Sequence, residues 1–394
     1  MKRHLIGIGG VGMSALATAL LRLGDEVTGA DRTLGTPNVR FLESLGIRVF
    51  PDDGSGIDEA TDEVIVSTAI EQSNPGLMKA AALGIRVVHR AAALSAALSG
   101  RKLVAVVGTC GKSTVAAMLG HVLSECGLDP FCVNGANVPG WEGAVRFGRG
   151  EYAVAEVDES DKSLVAFNPY AAIVTNSSAD HYSKEEMDEV FDAFAARCPG
   201  PVVDGRAGAG EADVSVPGRH NRMNARLALD MAIALGCDEA TARSALRSFP
   251  GVERRLQRYG TRVYDDYAHT PEKLRAMWTT IAEAHPGGVC AVWRPHGYAP
   301  LRKMLDPLAK MFGETMGDRD MLLVLPVYDA GGTADRSVCA ADLVAKVPRA
   351  QAVPDADAAC EWIAGHCGDF AAFAVCGARD PGLPALARRI SEIV

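Results

Sequence analysis

The amino-acid sequence predicts three consecutive α/β domains with parallel sheets, on three observations. Short apolar runs alternate with helical patterns along the chain: residues 5–8 then 13–23, 103–107 then 114–123, 289–293 then 301–312. Alternation of this kind means parallel strands with helices on both faces. Gly, Pro and Ser interrupt the pattern at 98–101 and 249–252, which predicts domains at 1–99, 100–250 and 251–394. At 394 residues the chain also exceeds one ordinary core.

Composition narrows the function classes. Hydrophobic residues at 48% and charged residues at 23% exclude a disordered chain. The formal charge of −9, with basic residues scattered rather than striped, argues against nucleic acid as a partner. Ten cysteines lie mostly in apolar runs without a CxxC pair, the usage expected of reduced thiols in a cytoplasmic protein. Met1-Lys2-Arg3 passes directly into a strand-like run, and no segment reaches the roughly 18 continuous apolar residues of a membrane span. Neither a leader nor a membrane anchor is expected.

The first domain opens on Gly7-Ile8-Gly9-Gly10-Val11-Gly12 between a strand and a helix, with Asp31 closing the next strand where a ribose-binding acid would sit. This is a Rossmann-like start whose helix amides should hold a diphosphate. The motif alone leaves NAD and any other nucleotide diphosphate open.

A second glycine-rich turn, Gly108-Thr109-Cys110-Gly111-Lys112-Ser113-Thr114, also joins a strand to a helix, as a P-loop must. Val106 stands where the strict pattern has its first glycine. Gly108 and Gly111 still allow close backbone approach, Lys112 can neutralise terminal phosphates, and Ser113 or Thr114 can offer a hydroxyl to Mg²⁺. Cys110 would sit where the helix dipole favours a thiolate, or is simply a small tolerated side chain.

Further on come Glu156-Val157-Asp158-Glu159-Ser160-Asp161, Thr175-Asn176, Asp180-His181, Pro217-Gly218-Arg219-His220-Asn221 with Asn224, Arg254-Arg255-Leu256-Gln257 and Asp265-Asp266-Tyr267-Ala268-His269-Thr270-Pro271. In this order, over nearly the whole chain, these resemble the Mur ligases, the first domain most of all the branch that adds L-alanine to UDP-N-acetylmuramate. The resemblance implies a Rossmann-like first domain for a UDP-sugar, a P-loop ATPase-type central domain and a Rossmann-like third domain for the amino acid. It implies ATP and Mg²⁺, with the γ-phosphoryl group passing to a carboxylate and an amine then attacking the acyl phosphate.

Roles implied by the resemblance fall on single positions. Lys112 would neutralise the β- and γ-phosphates beside the turn Gly108, Thr109, Gly111 and Thr114. Ser113 with Glu156 would hold one Mg²⁺, and His181 a second metal ion. Asn221 and Asn224 would face the adenine, with capping of its helix, expected at 222–235, the alternative for Asn221. Arg255 would reach the γ-phosphate and Asp266 the ribose. Gly9, Gly10, Val11, Gly12, Asp31 and Ser67 would hold the UDP-sugar, with His269 and His296 on the substrate side of the third domain. The partners expected are these small molecules, with neither nucleic acid nor membrane, and a monomer or homodimer.

The sequence also departs from the family. Residues 182–216 are short for this part of the central domain, which predicts missing flanking strands, and 204–211 reads as an exposed, low-order loop. Gly297 and Pro300 replace two arginines that would hold substrate carboxylates, Thr270 replaces a second histidine, and Gly332 an acidic residue. Lys162 and Leu164 depart in the same way beside the acceptor site. Arg294 and Arg302 are candidates to restore the lost charge. A peptide amine, as in murein recycling, another acceptor, or a nucleotide-binding regulator without turnover are the alternatives these changes leave open.

Overall fold

The computed structural model describes all residues except 159–162, 178–183, 209 and 330–333, together with the side chain of Ser163. Its strands form three sheets. β1 (Lys2–Ile6), β2 (Glu26–Asp31), β3 (Arg48–Pro51), β4 (Glu63–Val66) and β5 (Arg86–His89) make an all-parallel sheet in the order β3-β2-β1-β4-β5. Its helices are α1 (Val11–Arg22), α2 (Pro37–Ser44), α3 (Pro75–Leu83) and α4 (Arg90–Leu98). Strand residues alternate between two cores, as a period of two requires: Leu5 and Ile65 face one, Ile6 and Val64 the other. Local chemistry sets the helix starts, with Thr36 accepting from the Val39 amide before Pro37, and Asn74 accepting from Gly76 and Leu77 before Pro75.

The second sheet runs β11-β10-β6-β9-β7-β8, from β6 (Lys102–Val107), β7 (Phe131–Val133), β8 (Val145–Arg146), β9 (Tyr152–Glu156), β10 (Ala171–Val174) and β11 (Val202–Asp204). Only β8 is antiparallel to its neighbour. Around it lie α5 (Lys112–Glu125), α6 (Lys184–Ala195), α7 (Arg219–Ala234) and α8 (Glu239–Arg247). One buried core passes without a break from Leu16 of α1 and Leu94 of α4 to Ala105, Phe131 and Phe191 of this layer. Arg22 Nε also donates to Glu142 Oε2 at 2.6 Å. The first two sheets therefore belong to one compact unit, 1–215 with 221–252, while 216–220 and 253–394 form another.

In the second unit β12 (Gln257–Tyr259), β13 (Val263–Asp266), β14 (Val289–Trp293), β15 (Met321–Val324), β16 (Ala350–Ala352) and β17 (Ala372–Cys376) run in the order β12-β13-β17-β14-β15-β16. Only β12 is antiparallel. The helices are α9 (Pro271–Ala284), α10 (Tyr298–Thr315), α11 (Ala340–Val344), α12 (Ala356–His366) and α13 (Leu383–Ile393). The unbroken apolar run of β14 is buried on both faces, Ala291 and Trp293 in one core and Cys290 and Val292 in the other. None of the ten cysteines forms a disulfide. Among the described residues no helix is long and apolar enough to cross a membrane.

Helices begin earlier than apolar periodicity predicts: α1 at Val11, α5 at Lys112, α10 at Tyr298 and α7 at Arg219. The first turns of α1, α5 and α7 are polar or carry glycine, and that of α10 carries Pro300, so the periodic signal starts about one turn late. The stretch expected to be a low-order loop starts on the last residue of β11, and Arg206 ties it down through ion pairs to Asp188, Asp192 and Asp204. Leu16 is 1% exposed in the core shared by the first two sheets. Leu16→Ala is expected to cost roughly 2–5 kcal/mol, and hydrogen exchange should show both sheets losing protection together.

Candidate active site

In the second sheet β6 lies between β9 and β10; the chain leaves β6 toward β7 on one side and leaves β10 toward β11 on the other, which opens a crevice at the strands' carboxyl ends. Val106 is in register with Glu156, and Val107 with Val174. The turn 108–111 therefore rises between Glu156 on one side and Thr175-Asn176 on the other. Gly108 has φ +127, and a Cβ there would collide with Thr175 Oγ1. Gly111 has φ +85, and a Cβ would come within 2.8 Å of Asn224 Oδ1. Both positions need glycine.

The end of β10 clamps this turn. The Cys110 amide donates to Asn176 Oδ1 at 3.0 Å, while Thr175 Oγ1 and Asn176 Nδ2 donate to the Cys110 carbonyl at 2.7 and 2.9 Å. The Thr109 amide donates to the Asn176 carbonyl at 3.2 Å. Lys112 folds back, its Nζ donating to the Gly108 carbonyl at 2.6 Å. The N-cap of α5 is Gly111, which has no side chain to cap the helix, and the helix N-terminus is an electropositive cradle for phosphate. These features fit the polyphosphate of ATP.

Glu156 Oε2 accepts from the Gly135 amide at 2.8 Å, and a Cβ at 135 would collide with the carboxylate. Ser113 and Thr114 are buried in the first turn of α5. A hydroxyl and a carboxylate are hard oxygen donors of the kind Mg²⁺ takes, alongside phosphate and water. His181, the candidate for a second metal ion, lies outside the described residues. Among the described residues no group of three or more His, Cys, Asp or Glu gathers as a metal site.

The first sheet carries the other glycine turn. Gly7 has φ +74, and the Gly9 amide donates to Asp31 Oδ2 at 2.9 Å. Asp31 Oδ1 accepts from the Thr33 amide at 2.9 Å, so this carboxylate braces the turn. Gly10 precedes α1 without a side-chain cap, and Val11 is 48% exposed. Ser67 follows β4, the strand beside β1. Two neighbours were not singled out in the sequence: Asn38 Nδ2 donates to the Gly9 carbonyl at 2.8 Å, and a Cβ at Gly12 would lie 2.5 Å from Arg90 Nη1. Arg90 opens α4 after β5, far along the chain, and only the strand order brings it to this turn.

In the second unit the ends of β13, β17 and β14 are adjacent. Asp266 Oδ2 accepts from the Leu256 amide at 2.7 Å and Oδ1 from the Ala268 amide at 2.8 Å. Burial raises the pKa of Asp266, against the pull of Arg255 and the amides. The guanidinium groups of Arg254 and Arg255 lie 5.3 and 5.1 Å from the Tyr267 ring centroid. His269 meets His296 edge-on at 4.8 Å between ring centroids. Burial lowers the pKa of His269 to about 4 and also lowers that of His296, so both rings are neutral at pH 7.

Arg294 and Arg302 do not stand open for a carboxylate. Arg294 Nη1 is 2.6 Å from Asp380 Oδ2, and Arg302 Nη2 is 2.8 Å from Asp335 Oδ2. Tyr298, which starts α10 after Gly297, lines a cavity of about 340 Å³ with Val327, Ala340 and Val353.

Comparison with known proteins decides the family. The description "Mur ligase family, catalytic domain" matches residues 2–102, and "Mur ligase, glutamate ligase domain" matches 253–379. UDP-N-acetylmuramate–L-alanine ligase of Rubrobacter xylanophilus is 36% identical, over 84% of this chain and 85% of that protein. The chain belongs to the Mur ligase family. The enzyme of the same name from Gloeobacter violaceus is 35% identical, over 87% and 84% of the two chains. The crystal structure of UDP-N-acetylmuramate-alanine ligase from Thermotoga maritima superposes with a TM-score of 0.82 at 26% identity, covering 100% of this chain and 98% of that one. A murein peptide ligase from Psychrobacter arcticus shares the fold, with a TM-score of 0.67 at 19% identity.

This Mur ligase is thus an ATP-dependent, amide-forming enzyme with the three-sheet architecture of its relatives. Its glycine turn predicts a specific failure. Gly108→Ala would add a Cβ against Thr175 Oγ1 at a φ that side chains avoid, at a cost of about 1–3 kcal/mol. Calorimetric titration with a non-hydrolysable ATP analogue should show a loss of affinity of about 5- to 100-fold, since 1.4 kcal/mol is tenfold.

Proposed function

We propose that this ligase joins UDP-N-acetylmuramic acid to an amino acid such as L-alanine, in the cytoplasm, during peptidoglycan precursor synthesis. The observation that carries this reading is the pair of uncapped glycine turns on neighbouring sheets, Gly7–Gly12 and Gly108–Gly111, in a chain whose relatives bear that activity in their names. We assign domains at 1–99, 100–250 and 251–394 for the UDP-sugar, ATP and the amine.

The amides after Gly9, Gly10, Val11 and Gly12 hold the sugar diphosphate, with Asp31 and Ser67 beside it and Arg90 adding positive charge. ATP lies on Gly108, Thr109, Gly111, Lys112, Ser113 and Thr114. Asn221 and Asn224 face its adenine, Asp266 its ribose and Arg255 its γ-phosphate. Asp266 keeps acceptor capacity for a hydroxyl, because each carboxylate oxygen accepts one amide and offers two lone pairs. Ser113 and Glu156 hold Mg²⁺, with His181 the candidate for a second ion. The metal supplies positive charge that lets two anions, ATP and carboxylate, approach.

The muramate carboxylate attacks the γ-phosphorus, ADP leaves, and Lys112 and Arg255 offset the charge that develops on the transferring group. The amine then attacks the acyl phosphate and phosphate leaves. His269 and His296, neutral at pH 7, border the amine and can accept hydrogen bonds from it without repelling an ammonium group. The enzyme works as a monomer or homodimer.

A second reading keeps the mechanism and changes the amine to a short peptide. Gly297 and Pro300 leave the third domain without two carboxylate-binding arginines, Arg294 and Arg302 are already paired, and the 340 Å³ cavity beside Tyr298 offers room.

Mg²⁺-dependent phosphate release from ATP with UDP-N-acetylmuramic acid and a panel of amino acids and short peptides, each product weighed by mass spectrometry, tests both readings. Turnover with an amino acid supports the first and turnover with a peptide alone the second; none with any amine contradicts both. In the same assay Lys112→Ala should lose at least about 100-fold in turnover while keeping UDP-sugar affinity, because the two phosphate sites lie on different sheets.

A further inference from the structure

The segment that presents Arg255 adopts an unfavourable backbone. Arg254 and Leu256, on either side of it, have φ of +57 and +49, a region that residues with side chains rarely occupy and a β-substituted leucine has no local reason to enter. Such a conformation persists only where its surroundings over-determine it. Here the Arg254 amide donates to Gln257 Oε1 at 3.0 Å, the Tyr267 amide to the Arg254 carbonyl at 2.8 Å, and the Leu256 amide to Asp266 Oδ2 at 2.7 Å. The Leu256 side chain is buried in the core.

The remaining restraint is an ion pair. Asp265 is completely buried, and Arg254 Nε lies 3.3 Å from each of its carboxylate oxygens. The same guanidinium donates through Nη2 to the Gly377 carbonyl at 2.7 Å, which joins the turn to the end of β17. A buried ion pair is poor value for stability, since apolar residues of the same volume often do as well or better. What a fork of directional hydrogen bonds gives is geometry. Arg255 itself makes no ion pair among the described residues and lies against Tyr267, whose amide is bound to the same turn.

We propose that Asp265 and Arg254 are positioning residues: their buried pair locks the left-handed turn so that Arg255, resting on Tyr267, is held in one place for the γ-phosphate of ATP. The inference rests on the reading of Arg255 given above. It separates two adjacent aspartates by task, Asp266 fixing the Leu256 and Ala268 amides and Asp265 fixing the arginine that precedes Arg255.

The pair should leave a signature in the pH profile. The charged and titratable groups that face Asp265 are Arg254, Glu253 and Asp266, with Tyr259 on β12 and Cys376 on β17; Arg388 of α13 lies over the Tyr259 ring. Burial raises the Asp265 carboxyl to about 6 against the opposing pull of Arg254. Above that pH the carboxylate is charged and the pair is intact. As pH falls through about 6 the carboxyl takes up a proton, the ionic part of the pair is lost, and the turn loosens.

The test compares full-length wild type, Asp265→Asn and Arg254→Lys by steady-state kinetics from pH 5 to 9 and by hydrogen exchange of the 254–257 segment. Asp265→Asn is close in shape and neutral at every pH. It should lower kcat by about 100-fold at pH 8, leave KM for the UDP-sugar unchanged, and abolish the acid limb near pH 6. Arg254→Lys keeps the charge but not the fork, and should lose kcat to a similar degree. In both variants the Leu256 amide should exchange at least about tenfold faster. Wild-type kcat and protection in Asp265→Asn, or a lowered kcat with the acid limb intact, would overturn the inference. If the wild type turned over no ATP, the functional reading would fail instead, and Leu256 exchange would then decide the role of the pair alone.

Discussion

Thr175 and Asn176, two residues at the end of β10, hold the backbone of Cys110 by both its amide and its carbonyl. The candidate nucleotide site depends on this grip. It fixes the glycine turn from outside, so that Gly108 and Gly111 can keep positive φ at the start of α5. Lys112 can then lie along the turn, and Glu156, on the strand at the other side of β6, can face the same crevice. A P-loop lacking its first glycine works on these terms because Val106 is inside β6, paired with Glu156, and never has to turn.

The two glycine turns look alike in sequence and differ in their electrostatics. In the first, Asp31 takes the Gly9 amide and Arg90 lies close to Gly12, so an acid and a base border the helix N-terminus, which suits a diphosphate joined to a sugar with hydroxyl groups. In the second, a lysine arches over the turn and hard oxygen donors stand beside it, which suits a triphosphate with its metal ion. The continuous core beneath α1, α4 and β6 makes these two sites parts of one compact unit. The residues proposed for the amine side belong to the other unit, where burial lowers the pKa of His269 and His296 and Arg254 pairs with Asp265 beside Arg255.

Much of this was legible in the chain. Both glycine turns, the alternation of strands and helices and the acid on β9 are short-range features, written within a few residues of the elements they shape. Apolar periodicity places these helix starts a turn late, because Val11 and Lys112 open their helices on glycine turns and outside the core. Contacts that depend on strand order were not legible: Arg90 reaches Gly12, and Thr175 and Asn176 reach Cys110, only after the sheets have formed. Arg294 and Arg302 illustrate the same limit. Their charge suggested a substrate carboxylate, whereas Asp380 and Asp335, distant in the chain, occupy them. Left-handed backbone at Arg254 and Leu256 had no signal at all, since neither residue type favours it.

In the proposed reaction the carboxylate of the sugar nucleotide bound at the first turn attacks the γ-phosphorus of ATP held on the second. Positional isotope exchange tests it most directly, by following ¹⁸O from the β–γ bridge of ATP into the β-non-bridging positions with Mg²⁺ and no amine present. Exchange is expected when UDP-N-acetylmuramic acid is added and none without it, because only reversible acyl-phosphate formation frees the β-phosphate of ADP to rotate. Exchange that proceeds equally without the sugar nucleotide, or its absence from an enzyme that completes the ligation, would contradict it.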